Sequence, residues 1–425
     1  MSWGSTEARP NRPSLGDAVV PLFTPDPRLL RAGAVWIVVA NWADAVTDRY
    51  GAASIIAGDE TLTSTDVRTR LTLSPASGRG EAPAWRRTAP AIAAETLAKD
   101  LRWWRTDRKL EIPDLAPYGA APFVWQYHSL FQLRGHETAR RLGVPLVLHV
   151  DAPQVWEARK WGVTRPIWGK VAERMGDSVP LRRADLVAAV SQAVADAVEH
   201  LGVDPARIII TPGSAAMNLT VQADRVAVRA ELGLDGASVI GWIGSFRKFH
   251  ALELLVDAFT EVAALDPKAH LLLVGDGPEA PEVRRRLEAT GMGDRVRMTG
   301  SVPHHEVGRF VAAMDLTVLP SREGAFHYAP LKLRESLATG VPVIASDVGE
   351  VPGIVRASGG GWVVAPGDER ALAAAIRTAL DDQPARLAAG RRGATYAESE
   401  LGHSVGLDRV IERLDALGPP RSQAG

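Results

Sequence analysis

Short, unbroken apolar runs alternate with stretches of helical period along most of the chain. In the first half the runs are 34–40 (AVWIVVA), 122–128 (PFVWQYH), 145–151 (PLVLHVD), 185–191 (DLVAAVS) and 206–212 (ARIIITP). Their apolar positions are continuous instead of alternating, the pattern of strands buried on both faces of a parallel sheet. Helical stretches such as 132–142 and 192–201 fill the gaps. Residues 55–109 are less regular and give no detailed assignment. The second half is clearer. A strand at 238–244 leads to a helix whose apolar residues Leu252, Leu255, Val256, Phe259, Val262 and Ala263 form one stripe, ended by Pro267. Strands at 271–275, 296–299, 316–320, 341–346 and 361–364 follow, with helices at 279–290, 306–314, 330–339 and 369–380.

Strands alternating with helices predict an α/β protein, and the weakly periodic segment 213–222 separates two such series. The expected organisation is a loose tail at 1–16, one Rossmann-like domain at 17–212, a second at 213–400 and a last helix at 401–418. Doubly wound sheets bind ligands outside the carboxyl ends of their strands, so two of them facing each other place the site in the cleft between them.

Charge narrows the partners. The 425 residues carry 49 Lys and Arg against 50 Asp and Glu, a net charge of −1. That balance disfavours a nucleic-acid binder, which needs a basic excess. With no cysteine there are no disulfides, thiolate metal ligands or thiol nucleophiles. No run reaches the ~18 apolar residues of a membrane span. A cytoplasmic protein is expected.

The chemistry sits in the loops after the strands. In the segment Gly241-Trp242-Ile243-Gly244-Ser245-Phe246-Arg247-Lys248-Phe249-His250, two glycines let a ligand approach the backbone and two cations follow. A diphosphate is the natural guest, although a tight turn with solvated charges has the same composition. The spacing is not the dinucleotide fingerprint, which disfavours a dehydrogenase. Leu273-Val274-Gly275-Asp276-Gly277-Pro278 reads as a turn, and Thr299-Gly300-Ser301-Val302-Pro303 offers backbone to a flat base. Farther on, Pro330 opens a helix that carries Lys332 and Glu335 and stops at Gly340. The helix start suits a phosphate, and Glu335 suits a ribose diol.

Together these strings resemble the retaining glycosyltransferases of the large family that includes bacterial mannosyltransferases and sucrose-phosphate synthases. The motifs are Gly-Ser-Phe with a basic pair, Leu-Val-Gly-Asp-Gly-Pro, Thr-Gly-Ser-Val-Pro, Pro-Ser, and Glu-Ser-Leu-Ala-Thr-Gly-Val-Pro-Val-Ile-Ala, in order between about 206 and 380. The resemblance implies the GT-B fold, in which two Rossmann-like domains face each other across a cleft. It also implies a nucleoside-diphosphate-sugar donor as co-substrate, no cofactor, no required metal, and a final helix (405–417 here) crossing back to the first domain. It places the donor ribose on Glu335, the base against the backbone of Val302, and the diphosphate at Gly244, Ser245, Arg247 and Lys248. Where the family has a second glutamate, this chain has His327, so His327 or Lys332 is expected to contact the sugar. The family's Lys-Gly reads His250-Ala251 here, and its N-terminal Gly-Gly loop is replaced by Asn41-Trp42-Ala43-Asp44.

In the first domain His149 and Asp151 end a strand facing the cleft, and either can orient the acceptor hydroxyl; His128 is a weaker candidate. The implied reaction is front-face attack in which the departing phosphate deprotonates the acceptor. A basic, Trp-rich stretch comprises Trp156, Trp161 and Trp168 with Arg159, Lys160 and Arg165; Trp103-Trp104-Arg105 is similar. Both read as packing, as stacking on a sugar, or as contact with a membrane surface. The acceptor is then a small molecule, a glycan or a lipid-linked acceptor. The rival readings are a nucleotide-sugar epimerase or hydrolase on the same fold, and a relative that binds a nucleotide without catalysis.

Overall fold

Two sheets organise the computed structural model, which describes residues 18–25, 33–73, 89–163, 165–211, 222–324 and 331–420. The first contains β1 (Ala18–Thr24), β2 (Gly51–Ala57), β3 (Glu60–Leu62), β4 (Val124–Tyr127), β5 (Leu146–Val150), β6 (Leu186–Ala189) and β7 (Ile208–Ile210). Its order is β3-β2-β1-β4-β5-β6-β7, parallel throughout except for the antiparallel edge pair β2–β3. The second contains β8 (Ser238–Ile243), β9 (Ala269–Val274), β10 (Val296–Gly300), β11 (Leu316–Leu319), β12 (Val343–Ser346) and β13 (Gly361–Val364). It is wholly parallel in the order β10-β9-β8-β11-β12-β13. That is the doubly wound order whose strands reverse direction of progress about a switch point, here between β8 and β11, and between β1 and β4 in the first sheet. The crevice therefore opens at the ends of those strands.

Residues 34–40, read from the sequence as a strand, form part of a helix, Gly33–Tyr50. A short apolar run cannot separate a buried strand from a buried helix. The discriminating signal is downstream: Val39, Ala43, Val46 and Tyr50 continue at helical spacing, and all are buried. The central strand is β1 instead, whose run is interrupted by Pro21. The other four runs of the first half each contain a strand, as do all six of the second. The stripe from Leu252 to Ala263 lies inside the helix Leu252–Leu265 and fills the core of the second sheet. The tail 1–16 and the junction at 213 lie outside the described residues.

The helix His403–Leu417 packs on the first sheet's side, where Leu407 and Val410 join Trp42, Val46 and Trp125 in one core. Among the described residues no helix is long and apolar enough to cross a membrane.

Asp315, at the start of β11, ties the helix Gln222–Leu232 to β8. Its carboxylate accepts from Arg225 at 2.6 Å, from Arg229 at 2.7 Å and from the Val239 amide at 2.7 Å. Burial pushes this carboxyl up, but the Val239 amide and the two arginines outweigh it and hold the group below the usual range. Removing one side of so enclosed an ion pair leaves buried charge unmatched, so Asp315→Ala is expected to cost about 3–5 kcal/mol in urea unfolding at pH 7. A depressed carboxyl stabilises the fold fully above its unfolded value of about 3.9 and loses that contribution as pH falls through the lower folded value. The variant's acid-unfolding curve should lack this loss.

Candidate functional site

On the C-terminal side of the crevice, β8 gives way to Gly244 at φ +134° and β9 to Gly275 at φ +131°. A Cβ on Gly275 would lie 1.8 Å from the Gly244 carbonyl oxygen, and one on Gly277 would meet the Phe246 backbone at 2.5 Å. The second glycine loop thus braces the first. Phe246 and His250 point inward and are buried, while Gly244, Ser245, Arg247 and Lys248 are exposed at the strand end. The helix Leu331–Ala338 enters beside them. Its Lys332 amine lies 3.1 Å from both ring nitrogens of His250 and 4.6 Å above the Trp242 ring. It is 3.2 Å from where a Cβ on Gly244 would stand. Lys332, His250, Trp242, Ser321 and Ser346 share one pocket at the ends of β8, β11 and β12. Burial brings the Lys332 amine down to about 7, against the pull of Glu335.

Glu335, 8% exposed, faces the rim made by the β10 loop. One of its oxygens accepts from the His304 ring at 2.8 Å, and His304 opens the helix just past Val302. The helix start that follows Val302 and Glu335 therefore meet at one edge of the crevice. Sequence reading missed His304, although paired histidines directly after Pro303 at a helix start were a visible signal. His327 lies outside the described residues.

On the opposite wall, β5 ends in His149 and Asp151 follows it. The His149 ring is fully buried, stacked 5.4 Å from Trp125 and edge-on to Trp42 at 5.7 Å. Its Nε2 donates to Asp151 at 3.1 Å, and the Tyr127 hydroxyl donates to the other Asp151 oxygen at 2.5 Å. Burial would raise the Asp151 carboxyl. The His149 and Tyr127 hydrogen bonds and the charge of Arg334 prevail and hold it below the usual range. Of the two candidates, Asp151 borders the crevice and His149 stands behind it.

His128 is elsewhere. Its ring is 2.9 Å from Asp177, whose carboxylate also accepts the Gln154 and Val155 amides, so this wholly buried pair pins a helix start. Asn41-Trp42-Ala43-Asp44 is not a loop: it lies within the helix Gly33–Tyr50, where Asn41 and Asp44 accept from Arg68. The Trp-rich stretch is mostly structural. Asp100 holds Arg165 at 2.7 Å and Trp168 at 2.9 Å, and Arg159 pairs with Glu173. Trp161 reaches across, its ring 4.5 Å from that of Phe249.

Two further interactions join the walls. The Glu350 carboxylate accepts from the Gln192 amide at 2.6 Å, at the start of the helix Gln192–His200. The fully buried Arg334 guanidinium feels the negative charges of Glu350 and Asp151.

The chain that forms this crevice is similar to known proteins. Residues 237–382, which hold every motif named for the second sheet, match the family described as Glycosyl transferases group 1. The alpha-D-kanosaminyltransferase of Streptomyces kanamyceticus is 26% identical over 288 residues, 66% of this chain and 72% of that protein. The D-inositol 3-phosphate glycosyltransferase 1 of Catenulispora acidiphila is 30% identical over 303 residues, 68% of this chain and 70% of that protein. Among solved structures, Anabaena HepE in complex with UDP superposes with a TM-score of 0.62 at 18% identity, covering 93% of this chain and 100% of that one. Sucrose-phosphate synthase from Thermosynechococcus elongatus gives 0.61 at 20% identity, covering 94% and 100%. Fold, motifs and relatives agree, and this chain belongs to the group 1 glycosyl transferases, an enzyme family, on the GT-B fold.

Proposed function

We propose that the enzyme moves a sugar, with retention and without a metal ion, from a nucleoside-diphosphate sugar to a hydroxyl of its acceptor. The observation that carries this reading is the Lys332 pocket: an amine set among His250, Trp242 and the Gly244 loop, at the switch point where such sheets bind phosphates. Arg247 and Lys248 stand exposed beside it, so side-chain cations meet the charge that grows on the departing diphosphate, and no divalent cation is called for. Glu335 accepts from the donor ribose with His304 fixing one of its oxygens. Val302 offers backbone to the base, and HepE, of the same fold, was solved with UDP.

Retention is supported by the character of the opposite wall. The His149 and Tyr127 hydrogen bonds and the charge of Arg334 hold the Asp151 carboxyl below the usual range, which makes it a weaker general base than an ordinary carboxylate. The acceptor proton passes to the departing phosphate, while Asp151 orients the hydroxyl and His149 and Tyr127 fix Asp151. Small polyhydroxylated acceptors are favoured by the relatives, whose names specify 2-deoxystreptamine and inositol 3-phosphate.

A lipid-linked acceptor at the cytoplasmic face of a membrane is the second reading, favoured by one observation. Ile167, Val171 and Met175, spaced by four, are 90%, 60% and 51% exposed, and Leu101 and Trp104 are exposed on the helix that Asp100 ties to this segment. Exposed Lys170, Arg174, Arg102 and Arg105 flank them, a composition suited to an anionic lipid surface.

The first test is thermal shift with UDP, GDP, ADP and dTDP and their sugars. One nucleotide should raise the melting temperature, with about 2.7 kcal/mol gained at a hundredfold excess over Kd. Glu335→Ala should weaken its binding at least tenfold. A flat screen on folded protein favours the non-catalytic relative, and turnover without any acceptor favours the epimerase or hydrolase. Asp151→Asn is expected to lower kcat about 100-fold with donor KM unchanged. Vesicle sedimentation decides the second reading: binding should need anionic lipid and vanish when Ile167, Val171 and Met175 are changed to serine.

A further inference from the structure

Among the described residues two non-glycines have positive φ, and one of them, Ala251 at φ +47° and ψ +45°, ends the turn that follows Arg247. In this left-handed region the Cβ of an L-residue crowds the next carbonyl oxygen, so the conformation lasts where neighbours enforce it. The turn itself supplies little restraint. Its His250 and Ala251 amides donate to the Arg247 and Lys248 carbonyls at 2.9 and 3.2 Å, bonds within the turn. Side chains tie it to the rest. The buried His250 ring lies edge-on to Trp242 at 5.5 Å and against the Lys332 amine. The Phe249 ring is 4.2 Å from that of His250 and 4.5 Å from that of Trp161. Trp161 comes from the opposite wall, at the end of the helix Gln154–Lys160 that begins just after Asp151.

We propose that Trp161 is a positioning residue for the transfer: by packing on Phe249 it holds this strained turn in the form that presents Arg247 and Lys248 to the sugar diphosphate. The inference rests on the reading of the turn as the diphosphate site. Both cations are exposed, so what the protein fixes is the backbone that carries them. A turn already in its binding form spares the donor the work of ordering it. Trp161 is 38% exposed and outside the hydrophobic cores, so its truncation acts on the turn and leaves the fold intact. Without it Ala251 keeps its strain and loses one of the restraints that enforce it. Glycine at 251 adopts the same φ without the clash, which frees the turn from its need of Trp161. The two substitutions therefore oppose each other, and the donor site on one wall depends on a side chain of the other.

Hydrogen exchange of the free protein reads the turn without any ligand. The His250 and Ala251 amides should lose protection in Trp161→Ala and keep it in Trp161→Phe, which leaves a ring on Phe249. Calorimetry with UDP, GDP, ADP and dTDP then reads the site. Whichever of them binds the wild type should bind Trp161→Ala roughly 2- to 10-fold more weakly, the worth of one aromatic pair. Adding Ala251→Gly to Trp161→Ala should restore most of the lost affinity. Unchanged protection of the turn in Trp161→Ala overturns the proposal, and so does lost protection with undiminished affinity. An affinity loss that Ala251→Gly leaves in place also overturns it, because strain in the turn is then not what Trp161 opposes. A wild type that binds none of the four diphosphates, with a turn that still loosens in Trp161→Ala, overturns the diphosphate site and the positioning role with it.

Discussion

Arg334 is a guanidinium without access to water, and its charge has to be answered by protein. Asp151 answers it from the first sheet and Glu350 from the second, and burial still lowers it only to about 10, so it stays charged at neutral pH. An ion in that position makes separation of the two walls expensive, because parting them would strip a buried charge of one counter-charge. The helix that carries Arg334 also carries Lys332 and Glu335, one on each side in sequence. Fixing Arg334 there also fixes Lys332 and Glu335, the residues proposed to meet the diphosphate and the ribose.

The same constraint organises the opposite wall. Asp151 accepts from a donor on β5 and a donor on β4 and feels the charge of Arg334 on the helix Leu331–Ala338. Its carboxylate is oriented and kept ionised by three elements at once, which suits a group that holds a hydroxyl in place better than one that exchanges protons. Preorganised dipoles and charges of this kind cost no rearrangement when the reaction begins.

The second sheet was largely legible in the sequence because four of its five motifs lie at the carboxyl ends of β8, β9, β10 and β11, while the fifth runs from a helix into β12, and local pattern finds strands. Gly244 and Val302 lie in the loops, and Lys332 and Glu335 on the helix, where the sequence reading put them. Less was legible in the first half. The apolar run at 34–40 has no local feature that marks it as helix, and Pro21 disguises the central strand. The interactions that surround His128, Arg165 and Asp151 join residues far apart in the chain, with Asp177, Asp100 and Arg334, and no spacing rule connects them. His304 was in plain view, but only the distance to Glu335 gives it meaning.

Leu407 and Val410 share a core with Trp42 and Trp125, residues more than 280 positions earlier in the chain. During synthesis the first sheet emerges with that part of its apolar surface uncovered, and it stays so while the whole second sheet is being made. The helix that closes it is made only after the second sheet. The first half therefore depends for its finished core on a segment that follows the whole second sheet, and the second sheet can be complete before the first one is.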